Sequence, residues 1–304
     1  MKTWRATTLA VLCLALAAPA PALAWNDQGH MATGYIAYDT LKAEHPQAVT
    51  DILAIMRDHP DRARFDQQLA GLSGPARERR LFALMARWPD DIRNGPFDRP
   101  DWHYALKLVT PWGWALPITV GKADQAFGSN LALARDRGAP NAQRAVALCW
   151  VMHIVGDMHQ PLHGGHWLSM TFPKSDRAGS IAWVRKSPEA PPNTLHDTWD
   201  GIVDRPGSRE VGSEALAREI AAMHPRSTVP RDNHDSQMAY LGWVTQSRVL
   251  ARSLAYDGGR LLAGRSPDDA PLLSESYVVR ARSVSEARVA SAGYRLADLF
   301  WAVG

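Results

Sequence analysis

The chain has 304 residues, 46% of them hydrophobic and 21% charged, with 34 basic against 31 acidic side chains and a net charge of +3. That length suits one large domain. A balance so near neutral does not commit the protein to nucleic acid or to an anionic membrane, so any attraction to phosphate has to come from a local site or from bound cations.

The chain opens with "MKTWRATTLAVLCLALAAPAPALA". Lys2 and Arg5 form a basic start, an apolar run follows from Leu9 to Ala18, and Ala22-Leu23-Ala24 completes an A-x-A pattern. This is the layout of an export signal, residues 1–24, with cleavage expected after Ala24. The product is a secreted or periplasmic protein beginning at Trp25. Losing Lys2 and Arg5 takes the net charge from +3 to +1. Of the two cysteines, Cys13 leaves with the signal, and Cys149 sits in an apolar run as an expected buried residue, so no intramolecular disulfide forms. No later stretch has the roughly 18 consecutive apolar residues of a membrane span.

Beyond Trp25 the pattern is helical. Apolar residues recur at three- and four-residue spacing in 31–43, 47–58, 79–88, 121–136, 141–159, 212–223, 235–263 and 284–303. Pro46, Pro89, Pro140 and Pro161 punctuate these runs. Residues 89–120 are irregular and rich in Pro, Gly and Trp. Residues 164–194 are rich in Gly, Pro and Ser, with a short β-like run from Ile181 to Val184, and read as a long loop or short β-ribbon. No repeat or linker divides 25–304, which reads as a single domain.

The chemistry concentrates in "HIVGDMHQPLH", residues 153–163. On a helix, His153 and Asp157 share a face about 6 Å apart along the axis. An imidazole and a carboxylate suit zinc, although a surface His–Asp pair is equally ordinary. His196 and Asp200 in "HDTWD" repeat the spacing, and two such pairs on separate helices can face one another across a bundle. Pro161 ends the first helix, which lets His163 leave its face. His159 lies roughly 120° around the helix from His153 and is expected to pack or to support rather than to ligate. "WNDQGH" adds His30, "RWPDDIR" adds Asp90 and Asp91, and "PDWHY" adds His103. His45, His59, His224 and His234 stand in polar surroundings and are expected at the surface. His166, in a Gly-Gly context, stays open.

"WNDQGH", "WPDDIR", "WHY", "HIVGDMHQPLH" and "LHDTWD" follow the order and approximate spacing of the S1/P1 nucleases, and the chain resembles that family, which is related in fold to zinc-dependent phospholipases C. The resemblance implies an all-α multi-helix bundle and three Zn²⁺ ions. It implies that Trp25, through its free α-amine and carbonyl, shares one ion with His30 and Asp157. Asp90, His103, His153 and Asp157 then hold a second, with Asp157 bridging, and His163, His196 and Asp200 hold the third. Asp90 is preferred to Asp91 because the family motif is W-x-D. Asp90 and Arg93 are the implied catalytic pair, Arg93 contacting phosphate. Zinc lowers the pKa of water from 15.7 to about 7, which fits phosphodiester hydrolysis.

The chain departs from the family at two substrate positions. Leu106 stands where a polar base-contacting residue is common, and Ala178-Gly179-Ser180 replaces a Gly-Gly-Asn segment. Tyr104 is a candidate for stacking on a base or for packing beside Trp102, and Ser180 is a candidate substrate contact. The leading expectation is a zinc-dependent endonuclease that hydrolyses single-stranded DNA and RNA to 5′-mononucleotides, with 3′-nucleotidase activity as a further expectation. It acts as a monomer, with no protein partner and no membrane anchor. The alternatives are a phospholipase C or another phosphodiesterase on the same centre and, more remotely, a non-catalytic zinc-binding export protein.

Overall fold

The computed structural model describes residues 25–111, 119–231 and 236–303. The expected signal, Trp112, Trp114 and His234 lie outside the described residues.

Eleven α-helices among the described residues carry the fold: α1 Asp27–Glu44, α2 Pro46–Met56, α3 Arg62–Gln68, α4 Gly74–Asp91, α5 Ala123–Arg135, α6 Asn141–Asp157, α7 Pro161–Gly164, α8 Leu195–Asp200, α9 Arg209–Met223, α10 Ser236–Leu250 and α11 Glu275–Phe300. The architecture is all-α. At its centre α6 is buried all round, every residue from Val151 to Asp157 being buried. A helix apolar on all sides belongs in a core, and here it packs against α5, α4 and α2. Helix α1 packs against α4, α9 and α11. Cys149 is buried and free, as expected. No helix of the described residues is long and apolar enough to cross a membrane.

The few strands serve the connections. β1 Leu106–Val109 pairs antiparallel with β2 Thr119–Val120 and parallel with β3 Gly165–Trp167. β4 Trp183–Val184 pairs with β5 Asn193–Thr194, so the expected ribbon forms between 164 and 194.

Several boundaries differ from the sequence pattern, among them the 235–263 run, whose α-helix ends at Leu250. Pro89 does not end α4, which continues to Asp91. Its fixed φ is compatible with a helix, and its missing N–H forfeits only the bond to Met85 in the last turns. Helix α6 stops at Asp157, four residues before Pro161, which instead starts α7. Helix α11 begins at Glu275, after the N-cap Ser274, whose hydroxyl accepts from the Tyr277 N–H at 3.2 Å. Its first buried positions, Tyr277, Ala281 and Ser285, form a stripe of small or hydroxyl-bearing residues that reads as polar.

His59 is a correction. It is 3% exposed, with its ring edge-on to Trp88 at 4.7 Å and to Phe65 at 5.0 Å, and its Nδ1 accepts from the Asp61 N–H at 3.0 Å. Polar neighbours in sequence do not reveal which side of a turn faces inward. Burial lowers its pKa from 6.5 to about 4. A histidine depressed on folding contributes stability above 6.5 that is lost as pH falls towards 4, here about 3 kcal/mol in total. Thermal melts of chelated protein are expected to drop across that window. His59→Phe should melt lower at pH 7 but with a flatter profile, and an unchanged profile would dismiss this source.

Candidate metal centre

The elements deliver eight His and Asp side chains to one buried region. His30 comes from the first turn of α1, and Asp90 from the last turn of α4. His103 follows the 3-10 turn Pro100–Trp102. His153 and Asp157 come from the last turn of α6, His163 from α7, and His196 and Asp200 from α8. They fall into three groups that could hold a metal ion: His30, His153 and Asp157; Asp90, His103 and His153; and His163, His196 and Asp200.

Local sequence explains the approach. Gly156 lies where α6 crosses α1, and a Cβ there would stand 2.8 Å from Nδ1 of His30. Gly29 makes the matching concession to Trp25, whose Cβ would lie 2.5 Å from an added one. Asn26 accepts the N–H groups of Gln28 and Gly29 and so caps α1. Its own N–H donates to the Asp200 carbonyl at 3.3 Å, and its amide bonds Asp204. The segment from Trp25 into α1 is thereby tied to the helix bearing His196 and Asp200.

Atoms sharing a tetrahedral ion at 2.0–2.1 Å stand about 3.3 Å from one another. Asp157 Oδ1 lies 3.2 Å from His30 Nε2, while its Oδ2 lies 3.3 Å from His153 Nε2 and 3.4 Å from His103 Nδ1. One carboxylate therefore presents one oxygen to each of two groups. Asp90 Oδ1 closes the second group at 3.7 Å from His153 Nε2 and 3.8 Å from His103 Nδ1. In the third, His163 Nε2 and His196 Nε2 are 3.2 Å apart, and Asp200 Oδ2 is 3.4 Å from His196 Nε2.

Backbone carbonyls set the tautomers. His153 Nδ1 meets the Ala86 carbonyl at 2.9 Å, His163 Nδ1 the His103 carbonyl at 2.6 Å, and His196 Nδ1 the Ala178 carbonyl at 2.7 Å. A carbonyl only accepts, so each Nδ1 carries a proton and each ring turns its Nε2 inward. Nε2 of His163 and Nε2 of His196 face one another at 3.2 Å.

Burial governs the charges. It pushes His30, His103 and His153 well below the usual histidine range and keeps them neutral. It pushes Asp157 and Asp200 well above the carboxylate range and raises Asp90 as well. Both oxygens of Asp157, both ring nitrogens of His30 and Oδ2 of Asp200 are buried without a hydrogen bond. Unsatisfied buried polar atoms are costly, and so many in one place fit a divalent ion. Imidazole nitrogens and carboxylate oxygens are zinc's donor set.

Other candidates fall as follows. Asp91 turns away to pair with Arg87. Arg93 donates from Nη2 to Asp90 Oδ1 at 2.8 Å and keeps a buried Nη1 unbonded. His159 is buried away from the groups, between the Val155 carbonyl at 2.7 Å and Arg295 at 2.6 Å. His166 bonds the Ser175 hydroxyl at 2.8 Å. Tyr104 is buried against Leu106 and Ala178, in the wall of a small crevice of about 10 Å³ beside His163 and His196. Arg177 and Ala178 line that cavity; the partly exposed Ser180 is not in its lining. Sequence reasoning missed the orienting carbonyls, Arg177, and Gln160, which donates to Asp200 Oδ1 at 2.7 Å. Gln160, a lone amide in a buried run, was the one legible signal among them.

The chain is 24% identical, over 91% of its length and 87% of the other protein, to Endonuclease 3 of Arabidopsis thaliana. The sequence pattern of the S1/P1 nucleases matches residues 25–303, so the chain belongs to the S1/P1 nuclease family.

Proposed function

We propose that this is an exported zinc-dependent phosphodiesterase that hydrolyses single-stranded DNA and RNA to 5′-mononucleotides. The observation that carries this reading is Asp157, fully buried, with one oxygen towards His30 and the other towards His103 and His153. Family membership and similarity to an endonuclease support the nuclease class.

In this reading Asp90, His103, His153 and Asp157 hold one ion, and His163, His196 and Asp200 hold another. His30 and Asp157 share a third with the α-amine and carbonyl of Trp25, freed by cleavage after Ala24. When bound, zinc supplies an acidified water and positive charge at phosphorus. The chain's own residues do the positioning. Asp90 holds Arg93 through Nη2, and the partly exposed guanidinium is left beside the centre to bond a phosphoryl oxygen. The carbonyls of Ala86, His103 and Ala178 hold the imidazoles against rotation. With Tyr104 packed against Leu106 and Ala178, no open aromatic face is offered to a base, which favours weak base selectivity.

Gln160→Ala should weaken metal affinity at the His163 group by about 10–100-fold, the usual cost of losing a partner behind a ligand. Metal titration of the purified variant checks this, and unchanged affinity would remove Gln160 from the centre. The function itself is tested by assaying zinc-loaded protein on single-stranded DNA, RNA and phosphatidylcholine. Turnover of both nucleic acids without lipid turnover is expected. Lipid turnover alone would replace the nuclease reading with the phospholipase C one.

A further inference from the structure

The segment from Ser175 to Gly179 holds an unusual backbone. Ser175, Arg177, Ala178 and Gly179 have φ of 83°, 54°, 59° and 84°. Only the last is a glycine. Left-handed non-glycine residues are costly and persist where the surroundings over-determine them, often beside functional sites.

The surroundings here do so from both sides. Asp176, fully buried, accepts the Trp167 N–H at 2.7 Å through Oδ1, and its own N–H donates to the Trp167 carbonyl at 2.8 Å. The Ser175 hydroxyl accepts the Arg177 N–H at 3.0 Å and meets His166 at 2.8 Å. From the other side, His196 bonds the Ala178 carbonyl at 2.7 Å through its ring and the Gly179 carbonyl at 3.3 Å through its N–H.

This frame presents Arg177. Its side chain lines the cavity beside His163 and His196, it is partly exposed, and its guanidinium has no hydrogen bond or ion pair among the described residues. Most arginines of this chain that border a carboxylate are engaged, and Arg93 is itself bonded to Asp90. An arginine held without a protein partner at the edge of a metal centre is suited to a phosphate. The crevice walled by Tyr104, Leu106 and Ala178, about 10 Å³, is too small to admit a base, so Arg177 meets the substrate from its rim and binding energy has to come from the backbone of the substrate.

We propose that Arg177 binds a phosphate flanking the scissile one in a single-stranded nucleic acid, which rests on the phosphodiesterase reading above. Arg93 and Arg177 then contact different phosphates, and Arg177 acts on binding of longer strands rather than on the chemical step.

The test compares zinc-loaded wild type, Arg177→Asn and Arg177→Lys. Asparagine tolerates a left-handed φ, so the loop is preserved. The substrates are a single-stranded oligonucleotide and a dinucleoside monophosphate, which has a scissile phosphate and no neighbour. Arg177→Asn should raise the oligonucleotide KM about tenfold, with kcat and bound zinc unchanged. It should leave the dinucleoside KM alone, and Arg177→Lys should restore most of the loss. The slope of log affinity against log salt should shrink by about 0.7, the share of one single-strand phosphate. Equal losses on both substrates, or lost zinc, would mean that Arg177 only supports the loop, and no change would remove it from binding. A wild type that cleaves neither substrate overturns the phosphodiesterase reading and this proposal together, which separates that failure from a silent variant of an active enzyme.

Discussion

Asp157→Asn is expected to lower phosphodiester hydrolysis by more than about 100-fold, beyond the 10–100-fold that an outer partner of a ligand costs, and to reduce bound metal. The carboxylate faces His30 with one oxygen and His103 and His153 with the other. Asparagine keeps the shape but offers one oxygen and no charge. The same substitution should stabilise the metal-free protein at neutral pH. Burial raises the pKa of Asp157, so the folded chain holds its proton more tightly than the unfolded chain does. For an acid raised on folding, stability is lost as pH climbs from the ordinary value near 3.8 towards the folded one. Asparagine removes that loss. Melting of chelated wild type and variant should therefore show the variant higher at pH 7 and the gap closing as pH falls. Metal-loaded proteins should show the reverse order. A variant with normal zinc content and rate would take Asp157 out of the centre.

Extending the chain by a few residues before Trp25 should cost about as much. In an extended chain the Trp25 nitrogen is an amide, which does not ligate zinc. Asn26 fixes the position of Trp25 from three sides, by capping α1, by donating to the Asp200 carbonyl and by bonding Asp204. Trp25 thus has little freedom to find another ligand geometry. The extended protein is expected to bind fewer zinc ions than the protein beginning at Trp25 and to lose most of its activity, with proteolytic removal of the extension restoring both. Equal zinc content and activity in the two forms would exclude Trp25 as a ligand.

Much of this arrangement was legible in the sequence because it rests on short-range geometry. His153 with Asp157 and His196 with Asp200 are four apart, and a helix puts such pairs on one face whatever surrounds it. The exclusion of His159 followed from the same angle, and its pairing with Arg295 places it in the packing of α11. What could not be read were contacts made across the chain. The carbonyls of Ala86 and Ala178 orient histidines 67 and 18 residues away, and a carbonyl has no letter in the sequence. His59 was misread because burial depends on Trp88 and Phe65 closing over it. The stretch from Ser175 to Gly179 read only as part of a long loop, while its conformation is imposed by His166, Trp167 and His196. Arg177 was invisible for that reason. Nothing in its neighbours shows where a left-handed backbone will aim a side chain.

The most direct test of the account is to strip the protein with a chelator, add zinc stepwise, and follow bound zinc and cleavage of a single-stranded oligonucleotide in the same samples. The account predicts no cleavage without metal, and a rate that returns as zinc fills the three groups. Cleavage by the metal-free protein, or full zinc occupancy without cleavage, would contradict it.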